Sequence, residues 1–167
     1  LLVAACVVAT AGAANDAPVT VDVLAGDPGR IVLQYQFDDP AFTTVKIDDA
    51  PYTTVQLGRE AALLAAGAPD LVQVNRSVII PDDAEMTVKV VSAQFYEVAL
   101  RLAPSKGNLL RTVNPADVPY AFGPEYAVDA FYPGPLAALG EPYILRDYRG
   151  VVVHAYPLQY NPVRETL

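Results

Sequence analysis

Apolar residues recur at every second position through much of this chain, as in Val19-Thr20-Val21-Asp22-Val23, Ile31-Val32-Leu33-Gln34-Tyr35-Gln36-Phe37 and Met86-Thr87-Val88-Lys89-Val90. A period of two sends alternate side chains to opposite faces, which suits a half-buried strand and cannot form the apolar stripe of a helix. Between the runs stand Gly26-Asp27-Pro28-Gly29, Asp38-Asp39-Pro40, Asp48-Asp49-Ala50-Pro51, Pro81-Asp82-Asp83 and Ser105-Lys106-Gly107-Asn108. Each collects residues that turns accept at low cost. With 15 prolines and 10 glycines, many after Pro104, the pattern predicts an all-β chain, a jelly-roll-like β-sandwich with long Pro- and Tyr-rich loops. The one helix-like stretch, Gly58 to Gly67, is rich in alanine but only two or three turns long, and reads as a connecting turn or short helix.

Leu1 to Ala14 carries no charge and ends in Ala11-Gly12-Ala13-Ala14, the small-residue pattern of a signal-peptidase site. Residues 1–13 are therefore expected to be the tail of a secretory leader, cut after Ala13, which places the mature chain outside the cell or on its surface. The run is too short for a membrane span of roughly 20 residues. A core strand over Leu1 to Val8 is the alternative. A third reading takes Val3-Ala4-Ala5-Cys6 as a lipoprotein box with Cys6 lipidated, although the apolar run continues past Cys6 where such a signal turns polar. Residues 14–167 are the size of one ordinary domain.

Cys6 is the only cysteine, so residues 14–167 hold no disulfide, zinc thiolate or thiol nucleophile. All charged residues lie beyond Asn15, giving this part the net charge of -8. That argues against nucleic acid, whose phosphates call for Lys and Arg clusters. The single His154 lies in Val151-Val152-Val153-His154-Ala155-Tyr156, where alternation puts it on the face of Val152 and Tyr156. Without a nucleophile it reads as a partly covered strand residue rather than a catalytic base. The pairs Asp38-Asp39, Asp48-Asp49 and Asp82-Asp83 offer oxygens to calcium but lack the ligand spacing of a calcium loop, so they read as solvated turns and no cofactor is expected.

Tyrosines crowd the second half: Tyr120, Tyr126, Tyr132, Tyr143, Tyr148, Tyr156 and Tyr160. Aromatic rings with polar tips serve loop-rich cores and binding surfaces alike. Gly123 to Leu136, dense in Pro and aromatics, reads as a long structured loop, and such loops are often functional.

An ordered series of short motifs carries a resemblance. Gly67-Ala68-Pro69-Asp70-Leu71, Arg76-Ser77-Val78-Ile79-Ile80-Pro81, Ala103-Pro104-Ser105-Lys106-Gly107, Asn114-Pro115, Val118-Pro119-Tyr120, Phe131-Tyr132-Pro133-Gly134, Ile144-Leu145-Arg146-Asp147-Tyr148-Arg149-Gly150 and Pro157-Leu158-Gln159-Tyr160-Asn161-Pro162 follow one another. In order and spacing they resemble the prodomain of gingipain-type secreted cysteine peptidases, over roughly Gly67 to Leu167. The resemblance implies a non-catalytic β-sandwich prodomain that partners a cognate cysteine peptidase domain in cis. Such a domain helps its peptidase fold and blocks the active-site cleft until proteolysis removes it. The peptidase domain and the last prodomain strands are then expected beyond Leu167.

In that family an extended loop reaches the cleft, often with a basic residue in the specificity pocket. The loop from Gly123 to Gly140 makes Tyr126, Asp129, Phe131, Tyr132, Pro133 and Gly134 inhibitory-loop candidates, but it has no Lys or Arg, so its block would be steric or its pocket indifferent to basic residues. Arg111, in Asn108-Leu109-Leu110-Arg111-Thr112-Val113-Asn114-Pro115, corresponds to a basic residue used in the family as an internal processing point. The alternative reading is a free-standing extracellular β-sandwich that binds carbohydrate or protein through its tyrosines.

Overall fold

The computed structural model describes residues 2–8, 18–27 and 29–167, the first of these stretches by its backbone alone. Eleven strands are defined among the described residues: β1 (Leu2–Val8), β2 (Val19–Asp27), β3 (Arg30–Phe37), β4 (Ala41–Ile47), β5 (Ala50–Gln56), β6 (Ala61–Ala62), β7 (Val72–Ile80), β8 (Thr87–Gln94), β9 (Ala137–Leu139), β10 (Tyr143–Leu145) and β11 (Tyr148–Ala155). The chain is all-β, as its alternation predicts, and its sheets do not close into a barrel. It divides into two compact units.

The first unit comprises Leu1–Asp39, Val74–Phe95 and Pro135–Pro157. One of its sheets has the order β2-β3-β1-β8; in the other, β11 is flanked by β7 on one side and by β9 and β10 on the other. The period of two decides which side chains meet between them. Leu33, Tyr35 and Phe37 of β3 are buried, and so are Val151, Val153 and Ala155 of β11 with Val74 and Ile80 of β7. Burying each Leu, Val, Ile or Phe among them contributes about 1.5–3 kcal/mol, which places much of the hold on this unit in alternate residues of three strands.

Leu2–Val8 runs parallel between β3 and β8, with Leu2 opposite Arg30 and Thr87 and Val8 opposite Gln36 and Gln94. The cleavage point expected after Ala13 and the Cys6 side chain lie outside the described residues.

The second unit comprises Pro40–Gln73, Tyr96–Gly134 and Leu158–Leu167. Its hairpin β4–β5 turns through Asp48 and Asp49, whose φ values of 48° and 64° are those of a two-residue turn with the twist that flanking strands require. The acidic pair is thus explained by backbone geometry, since Asp tolerates positive φ better than most residues. Val55, Leu71, Leu102 and Tyr160 form the core, with Leu63, Leu100, Tyr126, Tyr132, Leu158 and Leu167 packed against it.

The stretch Gly58–Gly67 departs from helix. After a turn at Gly58 and Arg59, Ala61 and Ala62 pair with Gln73 and Val72, and the Leu63 amide donates to Leu71 O at 2.9 Å. Pairing with β7 overrides the helical preference of alanine, which is worth only a few tenths of a kcal/mol per residue, about the size of a weak prior.

Candidate functional site

A platform of three hydrogen-bonded backbone segments in the second unit organises the candidate loops. The segment Gly67–Asp70 lies between residues 103–105 and residues 121–123: the Gly67 amide donates to Ser105 O at 2.9 Å, Ser105 N to Ala68 O at 2.8 Å, Asp70 N to Ala103 O at 3.1 Å and Gly123 N to Gly67 O at 2.8 Å. Ser105, buried, bonds through its side chain to the Asp70 carboxyl and accepts the Gly107 amide at 3.2 Å. Burial raises the Asp70 carboxyl above its ordinary value, with the Ser105 bond acting against it. Two loops leave the platform, residues 106–120 and residues 123–134.

The first loop is exposed. Gly107 turns the chain at φ 78°. The Val113 amide donates to Leu110 O at 2.9 Å, closing a turn with Arg111 and Thr112 at its tip. Residues 110–117 are exposed, and Leu110 stands 74% open to solvent. Asn114 Oδ1 accepts the Ala116 amide at 3.1 Å and caps the 3-10 turn Pro115–Asp117. Arg111 thus projects from a turn tip, the position where proteolysis and recognition concentrate.

The second loop is fastened to its own unit. The Tyr126 hydroxyl donates to Leu102 O at 2.9 Å, and burial pushes that hydroxyl well above the ordinary tyrosine range. Tyr132 and Tyr160 exchange backbone hydrogen bonds, both 2.9 Å. The Gly134 amide donates to Gln159 Oε1 at 2.9 Å, following a cis bond between Tyr132 and Pro133. Asp129 Oδ1 accepts from Arg164 Nε and Asn161 Nδ2, both at 2.8 Å, and these bonds, Arg164 foremost, hold its carboxyl below the ordinary range. Of the six candidates here, Phe131 keeps a large apolar surface in solvent, 40% exposed. The structure therefore gathers Tyr126, Asp129, Tyr132 and Gly134 along residues 158–164 and sets Arg111 on a separate loop.

His154 occupies the outward row expected of it, between buried Val153 and Ala155, and its Nδ1 lies 2.7 Å from Asn75 Oδ1. Among the described residues no group of three or more His, Cys, Asp or Glu is placed to hold a metal ion. Tyr126 and Tyr160 turn inward, with ring centroids 6.4 Å apart, whereas Tyr148 of the first unit is exposed. Asp70, Ser105 and Lys106 have roles at the loop base that the sequence did not assign, although the motif containing Ser105 and Lys106 marked the place.

The family model Propeptide_C25 matches residues 13–167. Gingipain R1 of Porphyromonas gingivalis is 40% identical over 136 residues, 81% of this chain and 14% of its own length. Gingipain R2 of the same organism is 37% identical over 148 residues, 88% of this chain and 20% of its own length. The solved complex of Porphyromonas gingivalis RgpB pro- and mature domains matches with a TM-score of 0.83 at 37% identity, over 87% of this chain and 77% of that one. A structure addressing zymogenic latency of gingipain K, at 18% identity and a TM-score of 0.64, shares the fold.

Fold and matches together define a propeptide domain. The chain belongs to the Propeptide_C25 family, the propeptides of gingipain precursors, and it spans a fifth or less of these relatives' length.

Proposed function

We propose that this chain is the inhibitory and folding-assisting prodomain of a gingipain-like cysteine endopeptidase, and that the loop from Asn108 to Asn114 brings Arg111 to the peptidase's substrate cleft. The observation that carries the reading is the contrast between the two loops. Arg111 stands at an exposed turn tip, whereas Tyr126, Asp129 and Tyr132 are engaged within their own unit. A guanidinium on an exposed turn offers a cleft a charge and five donors. The RgpB pro- and mature domain complex supports the partner, because a relative's prodomain associates with its mature domain.

Modest affinity is sufficient in cis. A tethered prodomain meets its peptidase at an effective concentration of order mM. A dissociation constant near ~1 μM, worth roughly 8 kcal/mol, then keeps nearly every cleft filled. Export through a leader removed after Ala13 completes the proposal, and N-terminal sequencing of the secreted chain tests it; a secreted chain beginning ahead of Ala13 would exclude that cleavage.

The inhibition is tested by adding the purified chain in trans to its mature peptidase beside an Arg111→Ala variant. The variant is expected to inhibit at least about 100-fold more weakly, the scale of one buried charged anchor. Equal inhibition by both would remove Arg111 from the cleft. A second variant with residues 126–136 replaced by Gly and Ser, if folded, reports on the other loop.

A further inference from the structure

We propose that Lys106 is a positioning residue that clips the Arg111 loop shut at its base and so sets how readily the chain is cut after Arg111. Its meaning for inhibition rests on the cleft-facing reading of this loop, but the clip itself stands on geometry. The Lys106 ammonium donates to Pro115 O at 2.7 Å, nine residues along the chain, and sits 4.2 Å from the centroid of the Tyr120 ring. A carbonyl and an aromatic face are two partners an ammonium takes without a counter-charge.

Each end of the loop is fixed by a different device. On the near side, Ser105 is buried, bonded through its side chain to Asp70, and accepts the Gly107 amide. Gly107 then turns the chain at φ 78°, where an added Cβ would lie 2.8 Å from Ala66 Cβ. On the far side, Asn114 caps the turn that begins at Pro115, and the Pro115 carbonyl is the group Lys106 holds. Lys106 therefore ties the two ends together and leaves Arg111 between them.

A loop with both ends tied enters a cleft with little ordering cost, because its conformations are already restricted. The same tie opposes the local opening that hydrolysis requires, since cutting follows the population of the open form. With the clip closed the loop acts as an inhibitor; with it open, the loop becomes a substrate. The motif Ser105-Lys106-Gly107 thus acts as the hinge pin of latency.

The experiment compares the folded chain with Lys106→Met and Lys106→Arg under native trypsin digestion, following the cut after Arg111 by mass spectrometry. Lys106→Met keeps the stem and removes the donors and charge; it is expected to speed cleavage after Arg111 about tenfold, the scale of one lost charge-assisted hydrogen bond. Lys106→Arg restores donors and charge and is expected to stay within about threefold of the parent. Amide exchange of residues 108–114 should rise in Lys106→Met while exchange in β4, β5 and β7 is unchanged. Equal cleavage rates for Lys106→Met and the parent would overturn the clip. So would failure of Lys106→Arg to restore the parent's cleavage rate, or a rise in exchange spread over the whole unit. None of these outcomes depends on the Arg111→Ala inhibition result, so the two ideas fail separately.

Discussion

Gly67 and Gly123 meet backbone to backbone: the Gly123 amide donates to Gly67 O at 2.8 Å, and a Cβ added to either would lie 3.1 Å from backbone atoms of the other. Gly67 also sits at φ 82°, a conformation that side chains rarely adopt, whereas Gly123 at φ -84° does not. Gly67→Ala is expected to cost about 2–3 kcal/mol and Gly123→Ala about 1–2, the difference being the left-handed backbone. Urea denaturation measures both. Equal losses would show that close approach alone, and not backbone conformation, selects glycine here.

Tyr126 and Arg111 should separate stability from inhibition. Tyr126→Phe removes the hydroxyl that satisfies Leu102 O and is expected to destabilise the chain by about 1–3 kcal/mol. Once folded, it should inhibit as the parent does. Arg111→Ala should do the reverse, with an unchanged melting temperature. A Tyr126→Phe protein that melts normally yet inhibits poorly would return the cleft contact to the second loop.

Limited trypsin digestion checks exposure directly. Arg111 should be cut at least as fast as Arg59 and well ahead of Arg164. Arg164 gives its Nε to Asp129, and its amide donates to Asn161 Oδ1 at 3.1 Å. An Arg111 that resists while Arg59 and Arg164 are cut would end its candidacy as a processing site.

Asp70 gives a pH signature. Its folded carboxyl titrates above the ordinary 3.8, chiefly through burial, so between 3.8 and its raised folded value the folded chain holds more protons than the unfolded one. Its contribution is present below the ordinary value and is lost as pH rises through the folded value. Asp70→Asn, which stays neutral, should therefore be at least as stable as the parent at pH 7, with the difference moving in the parent's favour as pH falls toward 3. Melting temperatures across pH 3–7 check this; a variant destabilised most at pH 7 would mean that the ionised carboxylate is itself the stabilising form.

Asp129 has the opposite sign, because Arg164 and Asn161 hold its carboxyl low. Its contribution is present above the ordinary carboxylate range and fades as pH falls through the folded value, and at so exposed a site salt should weaken it.

The period of two determined the strand class and its inward rows without help from the fold. Leu33, Tyr35 and Phe37 are buried as alternation demands, and His154 lies outward between Val153 and Ala155. Asp48-Asp49 was legible as a turn because backbone preference is a property of the residue itself. The motif series was legible too, since order and spacing survive in the sequence. Tertiary structure decided the rest. Ala61 and Ala62 became strand only because β7 offered a partner. What fastens the second loop came from residues far along the chain: Tyr126 meets the Leu102 carbonyl, Asp129 meets Arg164, and nothing in the local composition of Gly123 to Gly134 records either partner. A tyrosine-rich loop looks the same whether its rings face a partner or its own core. Which way they face depends on where the fold leaves an unsatisfied carbonyl, and spacing along the chain carries no information about that.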